Sequence, residues 1–286
     1  MESYGEFQGR PLRATGPLGN TGPAARAALL GACGAVLDHA GNLVIADGGD
    51  NQVRVVAGTT GAFYGQAMKA GNIYRIAGLR GSGFGGDGGP AIDAKLSAPS
   101  GVTVDSAGNV VIGDSGNNRV RVIAASTGTF YAQAMTAGNI YTVAGDGISG
   151  WNGDGGPAAS AELGSPRGVA VDQAGNLLIA DDFNLRVRVV AGKSGTFYGQ
   201  PMTAGHIYTV AGDGRGGFSG DGGPAIHAGL TPLIPAVDAA GNILVTTVTG
   251  QVRAIAASTG AFYGQAMTAG NIYTIADSGA VAGRSG

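Results

Sequence analysis

Apolar residues occur along this chain in short runs, each bounded by glycine, asparagine or aspartate. Residues 168–172 (GVAVD) alternate between apolar and small or polar positions, 173–176 (QAGN) is typical of a tight turn, and 177–181 (LLIAD) is a second run. Two further runs follow at 186–191 (RVRVVA) and 207–211 (IYTVA). Runs of this length that are rich in valine and isoleucine predict four antiparallel strands forming one small twisted sheet.

The same unit occurs four times. Its phrases AVLDHAGNLVIAD, VTVDSAGNVVIGD, VAVDQAGNLLIAD and AVDAAGNILVTT place Asp38, Asp105 and Asp172 at intervals of 67 residues, and Asp238 follows after 66. Self-similarity at a fixed period indicates a repeat architecture. A single sheet would expose two apolar faces, and radial packing of four sheets buries them. The sequence therefore predicts an all-β fold, a four-bladed β-propeller with four antiparallel strands per blade, closed into a ring.

We expect one domain over residues 19–277, with an N-terminal extension at 1–18 and a flexible tail at 278–286. The predicted blades cover about 34–78, 101–145, 168–212 and 235–277. Residues 19–38 align without gaps with 86–105, so they form a connector into the first blade. No strand is then shared between the ends of the domain, and closure depends on contact between sheet faces. An open array, or a ring completed by association, are the alternatives.

Two motifs resemble the NHL-repeat family of β-propellers. The first is G-V-x-V-D-x-x-G-N-L-x-I-A-D followed by N-x-R-V-R-V, at 101–122 and 168–189. The second, G-D-G-G-P-A at 86–91, 153–158 and 220–225, is typical of bacterial members. The resemblance covers roughly residues 19–277 and implies the fold rather than an activity. Members more often have about six shorter blades, and each unit here carries an extra segment between its third and fourth strands.

Composition excludes several partners. Charged residues make up 13% of the chain and the formal charge is −2, so we expect neither nucleic acid nor a membrane as a partner. Cys33 is the single cysteine, which rules out an intrachain disulfide. The N-terminus lacks the pattern of a signal peptide, and no apolar run approaches the roughly 20 residues of a membrane helix. A cytoplasmic location is the default expectation.

The extra segments are nearly identical in all copies, for example TGAFYGQAMKAG at 60–71 and TGTFYAQAMTAG at 127–138. They lie on the same rim as the first hairpin turn, which we call the bottom. One interpretation is a fourfold aromatic and methionine ring that binds a ligand or joins copies into an oligomer. The other, favoured by the near-identity, is a minor core under each blade. That core would be built around Phe63, Phe130, Phe197 and Phe262.

The opposite rim, the top, differs from copy to copy. Just before the predicted innermost strand, the four equivalent residues are Cys33, Ser100, Arg167 and Leu233. At the short helix of the connector they are Arg26, Asp93, Ser160 and His227. The glycine-rich part of the connector offers Phe84, Trp151 and Phe218. A symmetric scaffold with an asymmetric mouth suggests a site for an asymmetric ligand, although drift without function gives the same pattern.

We therefore predict a propeller that binds a small molecule or a protein partner at the top mouth. Arg167, Ser100 and Asp182 would supply polarity. A stacking wall would come from Trp151, Phe84 and Phe218. Arg167 occurs in one copy only, and its planar fork suits a carboxylate or phosphate, whereas a solvated rim charge is the alternative.

The second hypothesis is an enzyme that uses the same mouth as a lyase, cyclase or hydrolase. His227 would be the base, Cys33 or Ser100 a nucleophile or proton donor, and Arg167 the anion stabiliser. We expect no cofactor and no metal bound by side chains, since His39 and His206 map to the bottom and His227 to the top. A central ion held by backbone carbonyls, by analogy with other four-bladed rings, is the alternative.

Two sets of charged residues have structural explanations. The recurring RVR arginines are expected to form blade-to-blade ion pairs with Asp47, Asp114 and Asp181. The aspartates of the GDGGPA motif are expected to bond their own turn or to cap the connector helix.

Overall fold

The computed structural model describes residues 19–277, and it contains four sheets of four antiparallel strands each. The predicted all-β, four-bladed propeller with four strands per blade is confirmed. Residues 1–18 and 278–286, predicted as an extension and a tail, lie outside the described residues. In each blade the first strand of the unit is innermost, followed outward by the second, third and fourth.

The main strands follow the repeat. Blade 1 contains β1 (Ala32–Leu37), β2 (Leu43–Asp47), β3 (Gln52–Val56) and β6 (Ile73–Ala77). Blade 2 contains β7 (Pro99–Val104), β8 (Val110–Asp114), β9 (Arg119–Ile123) and β12 (Ile140–Ala144). Blade 3 contains β13 (Pro166–Val171), β14 (Leu177–Asp181), β15 (Arg186–Val190) and β18 (Ile207–Ala211). Blade 4 contains β19 (Pro232–Val237), β20 (Ile243–Thr247), β21 (Gln251–Ile255) and β24 (Ile272–Asp277).

Short elements complete each unit. The extra segments are hairpins, β4–β5 (Gly61–Phe63 and Gln66–Met68), β10–β11 (Gly128–Phe130 and Gln133–Met135), β16–β17 (Gly195–Phe197 and Gln200–Met202) and β22–β23 (Gly260–Phe262 and Gln265–Met267). The connectors carry 3₁₀ turns at Ala24–Arg26, Ala91–Asp93, Ala158–Ser160 and Ala225–His227. Three more 3₁₀ turns follow the second strands, at Gly48–Asp50, Ser115–Asn117 and Asp182–Asn184. The described part of the chain offers no helix with the length and hydropathy needed to span a bilayer.

The aspartate that ends each first strand organises the bottom rim. In blade 3, Asp172 Oδ1 accepts hydrogen bonds from the N–H groups of Ala174 and Asn176, both at 2.8 Å. Its Oδ2 accepts from Asn176 Nδ2 at 2.7 Å and from the Tyr198 hydroxyl at 2.8 Å. The other three blades repeat this network. One carboxylate thus holds both the hairpin turn and the extra segment, which lie on the same rim as predicted.

The extra hairpins form the minor core that their near-identity favours. Their methionines are buried and their phenylalanines are half-buried against the blade above. The glutamine side chain of three of these hairpins donates to a backbone carbonyl of the fourth strand at 2.9 Å. These aromatic and methionine side chains therefore serve the blades themselves, which argues against a shared ligand ring at the bottom.

A fully buried arginine on each third strand holds the connector to the blade. Arg121 Nη2 lies 2.6 Å from Asp87 Oδ1, its Nη1 lies 3.7 Å from Asp114 Oδ2, and Nη1 also donates to the Lys95 carbonyl at 2.8 Å. Equivalent pairs occur at Arg54, Arg188 and Arg253. The predicted pairs with Asp47, Asp114 and Asp181 are present, but each lies within one blade and not between blades. The predicted turn capping by Asp87 is wrong, because this carboxylate accepts hydrogen bonds from Arg121 and from the Thr142 N–H. The third-strand side chain instead points to its own second strand and to the connector that crosses its sheet.

The innermost strands approach one another so closely that one position requires glycine. A Cβ on Gly34, Gly101 or Gly168 would lie 2.4–2.7 Å from a backbone carbonyl oxygen of the next blade's first strand. The fourth copy has Ile234 at this position, and its side chain is 56% exposed. Because real Cβ contacts are not that short, β19 is unable to receive a following strand as the other three do.

Residues 19–277 do not show the closed ring that the sequence predicts. Connector leucines Leu96, Leu163 and Leu230 are 0% exposed, but their counterpart Leu29 in the first connector is 39% exposed. On the other end, Ala276 is exposed although its three counterparts are fully buried. Hydrophobic clusters join blades 1 and 2, 2 and 3, and 3 and 4. Both end faces of the array are open, and Ile234 supplies a steric reason.

We expect the hydrogen bond between tyrosine and aspartate at the bottom rim to stabilise the protein more in a blade where the tyrosine is buried than in one where it is exposed. Tyr198→Phe removes a hydroxyl that bonds Asp172 at 2.8 Å from a side chain that is 7% exposed. The free energy of unfolding should fall by about 1.5–3 kcal/mol, the range for a hydrogen bond to a charged group. The matched control is Tyr263→Phe, which loses the equivalent bond at 2.6 Å from a side chain that is 47% exposed. Chemical denaturation of both variants checks this, and equal losses would contradict it.

We also expect stability to fall between pH 5 and pH 7. Burial raises the pKa of the Asp114 and Asp181 carboxyls to about 6, although an asparagine, a backbone N–H and an arginine oppose this at each site. The folded chain therefore binds these protons more tightly than the unfolded chain, where the pKa is 3.8. Proton binding by these two carboxyls therefore stabilises the folded chain fully below about pH 3.8, and this stabilisation is lost as the pH rises through about 6.

The measurement is the unfolding midpoint at pH 5, 6 and 7. Asp114→Asn and Asp181→Asn should each reduce the difference between pH 5 and pH 7, and the double variant should reduce it further, because the two carboxyls lie in different blades. A wild-type protein that is more stable at pH 7 than at pH 5 would show that these two carboxyls do not govern this range.

Candidate functional site

Four equivalent residues from the four blades meet at one groove along the innermost strands. Each is the second residue of its first strand, and together they show the asymmetry seen in the sequence. They are Cys33, Ser100, Arg167 and Leu233. The groove has a volume of about 450 Å³ and is otherwise lined by backbone and apolar residues of the same strands. We call it the axial groove.

A second groove of about 480 Å³ opens on the top rim above the axial groove. Cys33, Ser100 and Arg167 line both grooves, and the second adds Asp182 and Phe183 from the turn after β14. We call it the top groove. Because three residues are common to both, a ligand at these residues has access to the surface and to the axis.

Arg167 is the only cation that lines the two grooves among the described residues, and its side chain is 54% exposed. Its Nη1 lies 3.4 Å from Asp182 Oδ2. Burial raises the pKa of the Asp182 carboxyl, and the positive charge of Arg167 acts in the opposite direction. At 3.4 Å and partial exposure this is a weak ion pair, so the guanidinium keeps most of its capacity to bind another anion.

Two serine hydroxyls hold the backbone that carries Arg167. Ser100 Oγ donates to the Arg167 carbonyl at 2.8 Å and lies 2.5 Å from Ser115 Oγ, which in turn donates to the Pro166 carbonyl at 2.6 Å. These bonds join the second blade to the first strand of the third. Ser115 lies in the 3₁₀ turn after β8, and its position at the top groove depends on how two blades meet. Cys33 is exposed, and its Sγ donates to the Gly31 carbonyl at 3.2 Å.

The predicted aromatic wall lies elsewhere. The ring centroids of Phe84, Trp151 and Phe218 lie 3.8, 4.4 and 4.9 Å from the guanidinium carbons of Arg119, Arg186 and Arg253. Each ring covers an arginine of its own unit with one face, a cation–π arrangement, and lines neither groove. The repeat shows that these rings share one position, but their partner is an arginine 35 residues further along the chain.

The predicted base is also outside the mouth. His227 is the last residue of the 3₁₀ turn Ala225–His227, is exposed, and lines neither groove. The structure thus brings together Cys33, Ser100, Arg167 and Asp182 from three blades and leaves His227 apart. Within residues 19–277 no three histidine, cysteine or acidic side chains converge as metal ligands would.

Comparison with known proteins supports the fold. The family profile described as "NHL repeat" matches residues 96–123, from the connector of blade 2 to the end of β9. No curated protein matches the chain.

Three solved structures illustrate the likeness. A protein of unknown function from Bacteroides thetaiotaomicron is 19% identical, with a TM-score of 0.48 over 74% of this chain and 43% of that one. Virginiamycin B lyase from Staphylococcus aureus is 12% identical, with a TM-score of 0.46 over 85% and 55%. An auxiliary nutrient binding protein from Bacteroides thetaiotaomicron is 15% identical, with a TM-score of 0.46 over 74% and 44%.

The chain spans about half of the length of these solved structures. Identities and TM-scores of this size assign no activity to it. The resemblance seen in the sequence is confirmed at the level of the repeat: the second blade of this four-bladed propeller contains an NHL repeat at residues 96–123.

Proposed function

We propose that this chain is a binding propeller whose top mouth recognises an anionic group on a small molecule or on a protein partner. The observation that carries the proposal is the meeting of Arg167, Ser100 and Asp182 in one open groove, although they come from two blades and from two positions of the repeat. Only one of the four equivalent positions is an arginine, so the site is asymmetric within a symmetric scaffold.

The chemistry of the groove defines the ligand class. The guanidinium fork of Arg167 suits a carboxylate or phosphate, which it binds through parallel N–H groups. Asp182, 3.4 Å away, accepts a hydroxyl or amine hydrogen bond from the same ligand. The exposed ring of Phe183 on the top rim and Leu233 in the axial groove supply apolar contact. A small hydroxy acid, amino acid or sugar phosphate combines these features.

The enzyme hypothesis has less support. A lyase, cyclase or hydrolase at this mouth requires a proton acceptor close to the nucleophile or substrate. The predicted base, His227, lines neither groove, and Asp182, the carboxylate that does, is paired with Arg167. The Ser100 hydroxyl donates to the Arg167 carbonyl, which is not a general base. Binding needs only the groups that already meet there.

The test is a thermal-shift screen of small carboxylates and phosphates, followed by calorimetry on any compound that raises the unfolding midpoint. Arg167→Ala should weaken binding of that compound about tenfold to a hundredfold, which corresponds to the loss of one or two charge-assisted hydrogen bonds. Asp182→Asn should weaken it less, because the amide oxygen still accepts a hydrogen bond.

Two control variants separate this mouth from other surfaces. Arg215→Ala removes an exposed top-rim arginine that pairs with Asp213 at 4.0 Å and lines neither groove, so affinity should not change. Trp151→Ala should also leave affinity unchanged, because its ring packs on Arg186. If Arg167→Ala binds as wild type does, or if Trp151→Ala abolishes binding, the site lies elsewhere on the rim.

A further inference from the structure

Two positions of the repeat lie at the top end of each blade, and the residues that occupy them differ in every blade. One is the second residue of the first strand, and the other is the residue that follows the second strand. Blade 3 is the one blade with charged residues at both positions, and the two charges have opposite signs. The pairs in blades 1 to 4 are Cys33 with Gly48, Ser100 with Ser115, Arg167 with Asp182, and Leu233 with Val248.

Both charged groups of blade 3 have few partners. Among residues 19–277, the Asp182 carboxylate accepts one hydrogen bond, from Arg167 Nη1 at 3.4 Å, although its side chain is only 15% exposed. The preceding residue, Asp181, accepts from the Gly164 N–H at 2.6 Å and from Asn184 Nδ2 at 2.8 Å. A carboxylate accepts about four hydrogen bonds, and a guanidinium has five N–H groups. Arg167 and Asp182 therefore keep most of their bonding capacity for a ligand.

The top groove places one large apolar side chain beside this pair. Phe183 follows Asp182 in the chain, lines the same groove as Arg167 and is 73% exposed. The other lining residues are glycine, alanine, serine and cysteine. These small residues leave a volume of about 480 Å³, within the range of small-molecule sites. The groove thus offers a positive charge, a negative charge and one exposed apolar surface.

A pair of opposite charges selects ligands differently from a lone arginine. A simple carboxylate that binds Arg167 is repelled by Asp182, whereas a ligand with both charges is attracted by both residues. In an α-amino acid the ammonium and carboxylate groups are attached to the same carbon, so they are as close together as Arg167 Nη1 and Asp182 Oδ2 at 3.4 Å. Burial raises the pKa of the Asp182 carboxyl, and an ammonium group beside it acts in the opposite direction.

We infer that the ligand of the top mouth is a free α-amino acid with an apolar side chain, an inference that rests on the proposed function. The α-carboxylate of the ligand binds Arg167, its α-ammonium group binds Asp182, and its side chain covers Phe183. Hydroxy acids and sugar phosphates lack the ammonium group and are weaker ligands. Peptides are also weaker, because their two terminal charges lie further apart than the charges of this pair.

Three probes with one carbon skeleton test the two charges separately. They are L-leucine, 4-methylpentanoate, which lacks the amino group, and isopentylamine, which lacks the carboxylate. Calorimetry with the 286-residue chain should show that leucine binds at least about tenfold more tightly than 4-methylpentanoate, because it adds a charge-assisted hydrogen bond and removes a repulsion. Isopentylamine should bind more weakly than leucine by a similar factor, and so should glycyl-leucine.

Variants assign each group of the ligand to its partner. Asp182→Asn should weaken leucine binding about threefold to tenfold and leave 4-methylpentanoate binding equal or tighter, because the repulsion is gone. Retained binding of 4-methylpentanoate also shows that this variant is folded. Arg167→Ala should weaken both ligands about tenfold or more. Phe183→Ala should weaken leucine binding relative to glycine binding. The matched control is Asp213→Asn, a top-rim carboxylate that lies 4.0 Å from Arg215 and lines neither groove, and it should change nothing.

The outcomes separate this inference from the proposed function. The inference is wrong, and the proposed function stands, if 4-methylpentanoate binds as tightly as leucine and both depend on Arg167. The same holds if leucine does not bind at about 10 mM but another carboxylate or a phosphate does so through Arg167. Unchanged leucine affinity in Asp182→Asn also overturns the inference. Both fail if leucine binds equally well to Arg167→Ala, or if no carboxylate or phosphate binds.

Discussion

The structure depends on the sealing of one apolar sheet face against the next. Each blade is too small to bury its own apolar residues, and every internal junction solves this by inserting two alanines and a leucine from the connector between the outer strands. At the axis, glycine at the fourth position before the turn aspartate lets two backbones come together. The end faces stay open to solvent: Leu29 of the first connector is exposed, and Ile234 takes the place of the axial glycine in the last blade.

Buried charge follows from the same construction. A connector that crosses the outer strands leaves backbone carbonyls pointing inward, and the arginine of each third strand donates to one of them as well as to carboxylates. The carboxylates differ among the blades. Asp87 and Asp114 flank Arg121, but Thr247 replaces the second-strand aspartate in blade 4 and Arg253 keeps only Asp221. All four copies have the arginine, and in all four it donates a hydrogen bond to a backbone carbonyl of the connector.

The bottom rim has the same hydrogen-bond network in every blade, whereas the residues at the top rim vary between blades. At the bottom, one carboxylate satisfies a turn, an asparagine and a tyrosine, so a change at any of these positions leaves a polar group without its partner. At the top, the second residue of each first strand lines an open groove, and its hydrogen bonds differ from blade to blade. Because no shared network fixes the residue type at this position, it is Cys33, Ser100, Arg167 and Leu233 in the four copies.

The sequence by itself determined the blade: its period, its four strands, the rim on which the extra hairpin lies, and the four residues that share the mouth. These features depend on the alternation of apolar and polar residues, on turn residues and on alignment between the copies. All three can be observed in the amino-acid sequence. The tertiary structure decided which partner each side chain has. Asp87 binds an arginine 34 residues away, Trp151 covers Arg186, and His227 lies outside the grooves. It also decided that the ends remain open, because contact between the first and last sheet faces depends on how all four sheets pack, and Ile234 stands where the other blades have the axial glycine.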